Sequence, residues 1–341
     1  MIRSLTSFRF ITAFIIFLFH SRIHLDWKVG QNHIDNFFLN GATFMTGFFV
    51  LSGFIMAHVY SNTDFIQRGN IFNFYLKRFA KIYPSYAFAT IVYFIFLHDY
   101  TSKQILRVLV TNPFLVQGFF PNIFAIGMNG GTWSLTVEMF LYFLFPFLIL
   151  LSAKSPKILI ASLLIAAITS FNVHADKSEY IYANPVFRLA DFMCGMGFYF
   201  LKDKFKEVKF ANLLHLVIVV LLICACIKLG NDYQYMRGQF VIVPLFGAWI
   251  AIVYHSKSKI YNNKIFEYLG LISYSFYLWQ FVAMELGKKL VKIYPDISVH
   301  LLFLSAFIIN LVVSSLSYHL IEERVRKFIL VKFARKVPEK I

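Results

Sequence analysis

The chain has 341 residues, of which 59% are hydrophobic, and it carries a formal net charge of +16. Its mean hydropathy is +0.65, and its apolar runs are too numerous to be buried in one water-soluble core, which excludes an ordinary soluble domain. The basic residues lie mainly in short loops and near the C-terminus, so the charge indicates membrane topology rather than nucleic acid binding.

Apolar runs of span length favour helices over strands and predict an all-α polytopic transmembrane bundle. The ten predicted spans cover residues 4–23, 37–60, 82–98, 132–152, 156–173, 185–201, 211–228, 239–255, 267–285 and 299–321. The apolar stretch over residues 104–126 is interrupted by adjacent asparagine and proline at 112–113 and again at 121–122. Such breaks predict an interfacial or re-entrant segment instead of an eleventh crossing.

Loop charge predicts the orientation of this bundle. With the N-terminus inside, the inner segments contain 21 Lys and Arg residues and the outer segments contain 10, despite an outer cluster at residues 288–292. Because cytoplasmic loops are enriched in these residues, both termini are predicted to be cytoplasmic. The predicted organisation is a transmembrane domain over residues 1–321 and a basic cytoplasmic tail over residues 322–341.

Two further features of the sequence bear on processing and redox chemistry. The first span starts almost at Met1, and it lacks a short apolar core followed by a small-residue cleavage pattern. We therefore expect that this span is not removed as a signal peptide. Cys194, Cys224 and Cys226 lie in apolar segments without metal-ligand or paired spacing, which indicates packing residues.

The first span carries two polar residues that are costly in lipid. Arg9 there costs at least ~2.5 kcal/mol by insertion scales, so it is expected to face a cavity, a partner or a polar ligand. His20 lies ~16 Å further along the helix axis but only ~20° around it, so both side chains share one face. The alternative is that Arg9 snorkels to the inner headgroups and that His20 merely ends the helix.

The span over residues 132–152 contains a carboxylate, Glu138, shortly after Trp133 and Ser134. This helix and the first span run in opposite directions, so Glu138 and His20 are expected at a similar depth. A carboxylate beside an imidazole orients the ring and raises its basicity, which predicts a catalytic pair. The alternative is a buried carboxylate satisfied by aromatic or backbone donors.

Small and charged residues mark two other positions. Ser52 and Gly53 lie among large side chains, which lets a neighbouring helix or a ligand come close. Arg188 and Asp191 have the spacing of a self-contained ion pair, which favours a structural role.

A basic cluster of Lys77, Arg78 and Lys81 precedes Tyr83-Pro84 at the predicted inner entrance of the third span. Arg78 and Lys81 are three residues apart, so they present their charges on one helical face. Ordinary positive-inside anchoring would explain the cluster equally well.

Taken in order, these segments resemble the membrane acyltransferase 3 family over nearly the whole chain. The opening SLTSFR and the later FLFH place an arginine, ten residues and a histidine in the first span. The other matching segments are FFVLSGFI at 48–55, the basic cluster before Tyr83-Pro84, WSLTVE at 133–138, residues 188–197, and SYSFYLWQ at 273–280.

Three departures from the family pattern are visible. Lys81 stands where a second arginine is frequent, which keeps the charge but loses a bidentate fork. Gln280 stands where a histidine is frequent, so no catalytic role is assigned to it. Arg324 occupies a place often held by proline after Ile321-Glu322.

The resemblance implies transfer of an acyl group, most often acetyl, from cytoplasmic acyl-CoA to a hydroxyl of an envelope or exported carbohydrate. It implies that His20 is the general base or a transient acyl carrier and that Glu138 orients it. Arg9, Arg78 and Lys81 are then expected to bind the CoA phosphates. The residues expected to support the site are Ser52, Trp133, Ser134 and Arg188.

The expected setting is the bacterial inner membrane, with acyl-CoA, a carbohydrate acceptor and the lipid bilayer as partners. No metal, permanently bound cofactor or nucleic acid is expected, and the oligomeric state is left open. A transporter or flippase for lipid-linked glycans is the alternative function, because intramembrane ionisable residues also mark substrate paths. A binding or scaffold role explains less, since it would not require Arg9, His20 and Glu138 inside the bundle.

Overall fold

The fold is described from a computed structural model that covers residues 2–30, 32–96, 101–120, 130–173, 178–206, 211–228 and 234–335. Every regular element in these ranges is helical, which confirms the predicted all-α class. The α-helices are α1 Arg3–His24, α2 Asn32–Leu39, α3 Phe44–Tyr60, α4 Arg68–Phe96, α5 Ser102–Thr111, α6 Trp133–Leu151, α7 Ile158–Asn172, α8 Ser178–Ala183, α9 Leu189–Lys206, α10 Ala211–Lys228, α11 Gln239–His255, α12 Lys264–Ile293, α13 Val299–Ser317 and α14 Glu323–Phe333.

Several of these helices are suited to a bilayer. Five segments of the described chain are long and apolar enough to cross a membrane, namely Arg3–His24, Asn32–Tyr60, Trp133–Leu151, Met236–His255 and Val299–Phe333. Helices α7 and α10 are apolar but shorter, whereas α4 and α12 have 29 and 30 residues and carry charges. The chain is therefore a multi-pass membrane protein, while the count of ten spans and the cytoplasmic termini stay predictions.

Packing changes the bounds of three predicted spans. The span predicted over residues 37–60 is divided between α2 and α3 by a 3₁₀ turn at Gly41–Thr43. Helix α4 begins at Arg68 instead of near residue 82, because its polar first turns pack against α14 and it continues through Pro84. Helix α9 begins at Leu189, so Arg188 lies just before the helix that was predicted to contain it.

In its described part, the segment predicted to be interfacial or re-entrant contains one short α-helix and a 3₁₀ turn. Helix α5 has ten residues and a capping box formed by Thr101 and Gln104, and a 3₁₀ turn follows at Gln117–Phe119. Ten helical residues span about 15 Å, roughly half the hydrocarbon thickness, so α5 does not cross a bilayer. Residues 121–129, where the second asparagine and proline break was noted, lie outside the described residues.

Two glycines bring α3 and α9 into direct backbone contact. A Cβ atom on Gly53 would overlap the carbonyl of Phe192, and one on Gly195 would overlap the carbonyl of Val50. Small residues at such a crossing let helices approach closely in a membrane, as the Ser52-Gly53 pair predicted. This crossing fixes the position of α3, which forms one wall of the cavity described below.

A phenylalanine cluster holds α1 against α12 and α13. The Phe17 ring lies 5.4 Å from that of Phe276, and 5.8 and 5.7 Å from those of Phe303 and Phe307. Aromatic pairs at such distances add packing energy to their buried area. The cluster therefore sets α12, rather than α6, beside the second half of α1.

The chain beyond α13 continues as ordered helix. It makes a π-helical turn at Tyr318–Glu322 and then forms α14, which packs on the first turns of α4. Asn73 donates to the carbonyl of Arg335 at 2.9 Å and accepts from its backbone N–H at 2.8 Å. The predicted tail over residues 322–341 thus contains a helix, which ends at Phe333, and is docked on the bundle as far as Arg335.

The cysteines differ in exposure. Cys194 and Cys226 are buried, in agreement with the predicted packing role, whereas Cys224 is exposed. All three are free thiols.

Candidate functional site

A cavity of about 500 Å³ lies between α1, α3, α4, α6, α12 and α14. It follows α3 from Met45 to Val59, a distance of about 21 Å along the helix axis. Its volume falls within the roughly 300–1,000 Å³ typical of small-molecule sites. The predicted site residues in its wall are Arg9, Ser52, Arg78, Lys81, Ser134 and Glu138. Helices far apart in sequence therefore bring together six of the nine predicted residues.

One end of the cavity, here called the basic end, is lined by Lys77, Arg78, Lys81 and Arg326, with Arg9 adjoining them. Among the described residues that line the cavity, these five cations are opposed by a single carboxylate, Glu138. The resulting positive field favours a ligand that carries several negative charges.

Arg78 is oriented by aromatic residues instead of by a carboxylate. It donates from Nη2 to the hydroxyl of Tyr60 at 3.1 Å, and its guanidinium carbon lies 5.6 and 5.7 Å from the ring centres of Tyr60 and Tyr142. Such contacts fix the orientation of the guanidinium but leave its charge uncompensated. Arg78 is thus prepared for an anionic ligand.

Arg9 enters the cavity from the first half of α1. It is half-buried, and in the described part of the chain its side chain forms neither a hydrogen bond nor an ion pair. An arginine among apolar helices is costly unless a partner or water solvates it, so its position on the cavity wall explains how the bundle tolerates it. A bound anion would add the missing partner.

Lys81 differs from the other cations because it is already paired. Its ammonium group forms an ion pair with Glu322, whose second carboxylate oxygen accepts from Ser275 Oγ at 3.0 Å. Glu322 is only 2% exposed. A buried carboxylate therefore compensates the charge of Lys81, and its binding of phosphate stays a prediction.

Glu138 belongs to a hydrogen-bonded chain inside the cavity. The hydroxyl of Tyr142 donates to Glu138 Oε1 at 3.4 Å, and Ser52 Oγ lies 2.9 Å from the same hydroxyl. The charged groups that act most strongly on Glu138 are Arg9 and Arg78. Sequence reasoning missed Tyr142, although its position four residues after Glu138 places both on one helical face.

His20 lies beyond the cavity wall and pairs with a different residue than predicted. Its Nδ1 atom is 3.0 Å from Oε1 of Gln280, a fully buried side chain on α12. The predicted pairing of His20 with Glu138 is wrong, because α12 packs beside this part of α1 while Glu138 faces the cavity. The residue that received no role from the sequence, Gln280, is the one that orients the histidine.

One turn of α12 links the cavity to His20. Tyr277 lines the cavity, and its hydroxyl donates to the carbonyl of Gly131 at 2.8 Å. Its own backbone carbonyl accepts from Gln280 Nε2 at 2.9 Å. Because that amide nitrogen is engaged, Gln280 presents its oxygen to the ring, so His20 carries its proton on Nδ1 and leaves Nε2 as the basic nitrogen.

Arg188 and Trp133 lie outside the cavity and support its fold. Arg188 is fully buried, pairs with Asp191 at 3.1 Å and lies 4.5 Å from the ring centre of Tyr182. Trp133 packs against the Tyr182 ring at 4.5 Å and lies 5.9 Å from the guanidinium carbon. These contacts agree with a structural role. Ser134, by contrast, lines the cavity and donates to the carbonyl of Gly131 at 2.9 Å.

The donor atoms of the site favour an anion over a metal ion. Within the described residues no group of three or more His, Cys, Asp and Glu side chains is placed to hold a metal. The basic end instead offers guanidinium and ammonium groups, which bind phosphate through charge-assisted hydrogen bonds.

Comparison with known families gives one extensive match. The model of the acyltransferase domain of the acyltransferase 3 family matches residues 2–319. That range includes α1 to α13 and all predicted site residues. No solved structure matches the chain.

Curated relatives are distant in sequence. The peptidoglycan O-acetyltransferase OatA of Listeria monocytogenes is 24% identical over 82% of this chain and 50% of its own length. The O-acetyltransferase OatA of Staphylococcus aureus is also 24% identical, over 82% of this chain and 52% of its own. The acyltransferase MdmB of Streptomyces mycarofaciens is 29% identical over 45% of this chain and 40% of its own. The chain thus spans about half the length of the OatA proteins.

Proposed function

We propose that this chain, which belongs to the acyltransferase 3 family, transfers an acetyl group from acetyl-CoA to a hydroxyl of an envelope or exported carbohydrate. The observation that carries the proposal is the cavity, which has a basic end and which is connected to His20 through Tyr277 and Gln280. The names of the OatA relatives support acetyl as the group and a cell-envelope glycan as the acceptor.

The donor fits the cavity by charge and by shape. CoA carries a diphosphate and a 3′-phosphate at one end, which match the cationic side chains of the basic end. Its slender pantetheine arm suits the mostly apolar length of the cavity beside α3. In this arrangement Arg9 and Arg78 bind the phosphates, and the thioester points toward Tyr277 and His20.

The reaction requires a proton acceptor at the far end. Nε2 of His20 takes the proton of the acceptor hydroxyl while the oxygen attacks the thioester carbonyl carbon. The carbon–sulfur bond breaks, and the CoA thiolate leaves and receives the proton from the imidazolium. Alternatively, the ring nitrogen itself accepts the acetyl group and passes it to the hydroxyl. Rapid quench with labelled acetyl-CoA distinguishes the routes, because only the second gives acetylated protein.

Glu138 has a different part in this scheme than orienting His20. It is the carboxylate that faces Arg9 and Arg78 inside the cavity, and Tyr142 and Ser52 hold it there. We assign it an electrostatic interaction with these two guanidinium groups beside the donor. Ser134, on the same helix one turn earlier, lines the path of the pantetheine arm.

The hydrogen bond from Gln280 to His20 gives a first test. Gln280→Leu should lower kcat about tenfold with little change in the KM for acetyl-CoA. The variant loses one hydrogen bond of ~1–1.5 kcal/mol, which stabilises the reactive tautomer of the His20 ring. Gln280→Glu keeps the accepting oxygen and should retain more activity. Steady-state acetylation in reconstituted vesicles measures both. An unchanged kcat in Gln280→Leu would remove Gln280 from the mechanism.

The basic end gives a second test. Arg78→Ala should raise the KM for acetyl-CoA roughly 10- to 100-fold with a smaller change in kcat, because a charge-assisted bond contributes about 1.5–3 kcal/mol. Arg68→Ala is the matched control, since Arg68 lies on the same helix outside the cavity wall. Equal KM values in the two variants would mean that the cluster serves membrane topology alone.

The flippase alternative is tested on the product. Membership of an acyltransferase family favours the enzyme, since a flippase changes the location of a glycan without changing its mass. Mass spectrometry of envelope glycans with and without the protein separates the two functions. An increment of one acetyl group supports the proposal, whereas accumulation of unmodified lipid-linked precursor in the absence of the protein supports the flippase.

A further inference from the structure

Helix α14 forms part of the cavity wall although the family match ends before it. We infer that Arg326 on α14 binds the phosphates of acyl-CoA directly, and that Lys81 acts on the donor indirectly by holding α14 in place through Glu322. This inference rests on the proposed function, because it extends the donor site to a helix that the sequence assigned to a tail.

The inner face of α14 points into the basic end. Arg326 and Leu330, four residues apart and therefore on one helical face, both line the cavity. Arg326 is half-buried and has no carboxylate partner in the described part of the chain. On the outer side of the same helix, Lys327 is exposed and pairs with Glu323 at 3.2 Å. An arginine without a carboxylate partner thus faces the site.

The π-helical turn at Tyr318–Glu322 sets this orientation. It ends with Glu322 buried against Lys81 and Ser275. Four residues of ordinary helix then carry the chain about 6 Å further and about 40° around, which keeps Arg326 near the side of Glu322. Single π-turns inside helices are frequent at functional sites. The turn therefore aims both residues at the end of the cavity.

Lys81 and Glu322 act as an anchor between α4 and α14. The Lys81 ammonium group also lies 5.6 Å from the ring centre of Tyr274 on α12, so three helices meet at this pair. The reciprocal hydrogen bonds between Asn73 and Arg335 hold the other end of α14. Arg326 lies between two fixed points, which limits its freedom before any ligand binds.

The charge balance of the pair decides which cations are available to phosphate. Glu322 compensates Lys81, and a lysine that left this carboxylate for a ligand would leave a buried negative charge without a partner. In the described structure no ion pair with a carboxylate is formed by the other four cations, Arg9, Lys77, Arg78 and Arg326. The donor phosphates are therefore bound by these four residues.

The first experiment measures CoA binding by the purified full chain in detergent. Arg326→Gln should weaken binding of CoA about tenfold, and Arg324→Gln is its control, because Arg324 is exposed on the same helix and does not line the cavity. Comparing CoA with 3′-dephospho-CoA identifies the phosphate involved. If Arg326 contacts the 3′-phosphate, the wild-type protein should bind CoA more tightly than the analogue, and Arg326→Gln should bind the two ligands alike. Equal binding by the two variants would overturn the role of Arg326.

The second experiment separates an anchor from a ligand. Lys81→Met should weaken CoA binding, because Glu322 is left unpaired and α14 is released, and adding Glu322→Gln should restore binding to within about threefold of wild type. If Lys81 contacts phosphate, the double variant stays as weak as Lys81→Met. Should Lys81→Met fail to fold, the double variant alone decides the question. Wild-type protein that binds no CoA would refute the proposed function, whereas normal wild-type binding with a failed rescue refutes only the anchor.

Discussion

Alanine in place of His20 should lower the rate of acetyl transfer by roughly 10²- to 10⁴-fold, the contribution expected of a general base, while the protein inserts and folds normally. The ring is half-buried and its described polar partner is Gln280, so its removal breaks one hydrogen bond and no ion pair. The KM for acetyl-CoA should change little, since the cations of the basic end are untouched.

The measurement pairs initial rates in reconstituted vesicles with thermal unfolding of the same preparation. His24→Ala is the matched control, because His24 is the next histidine on the helix, with its ring 6.2 Å from that of His20, and both contact Phe281. We expect it to retain activity within about threefold. A folded His20→Ala protein that works at the wild-type rate would exclude His20 from the chemistry.

Gly195→Ala should prevent stable folding. It adds only one methyl group, yet it is the substitution for which we predict the largest loss of stability. The new Cβ would overlap the carbonyl of Val50 and the amide of Phe54, both of which belong to the backbone of α3. Overpacking a well-packed core costs about 1–3 kcal/mol, and a clash with backbone leaves no rotamer change to relieve it. The α3–α9 crossing would have to open, and the cavity wall would move with it.

Fluorescence-detected gel filtration and the Tm in detergent measure this effect. Gly287→Ala is the control, because its Cβ would meet only side-chain atoms of Leu302 and Ala306. We expect Gly287→Ala to keep a monodisperse peak and a Tm near that of wild type. A Gly195→Ala protein with an unchanged Tm would show that the two helices do not approach so closely.

Sequence patterns predicted the helices whose limits depend on hydropathy alone. The apolar runs of α1, α6, α10 and α11 end at charged or polar residues, so their predicted bounds lie within a few residues of the observed ones. The start of α4 and the break before α3 depend on packing against distant helices, which local hydropathy does not record. The helix after Glu322 was missed for the same reason.

Six of the nine predicted site residues line one cavity, but His20 and Glu138 do not pair in the described structure. Arg9 was expected to face a cavity, a partner or a polar ligand, because an intramembrane charge avoids lipid, and it lines the cavity. Glu138 was expected beside His20 and lines the cavity instead. Depth along two helices does not determine which helix lies beside a given residue, and α12 occupies the place next to His20. Gln280 received no role because it stands where the family frequently has a histidine. Its amide oxygen nevertheless accepts the hydrogen bond from His20.

The cavity is built from regions that are remote along the chain, since Ile2 on one side and Leu330 on the other both line it. Arg3 also pairs with Glu267 at 3.1 Å, beside the same group of helices. Affinity tags and reporter fusions are usually placed next to such segments on the assumption that they do not disturb function. In this protein an attachment near either segment would stand beside the cavity, so tag position must be varied before any change in KM is assigned to a mutation.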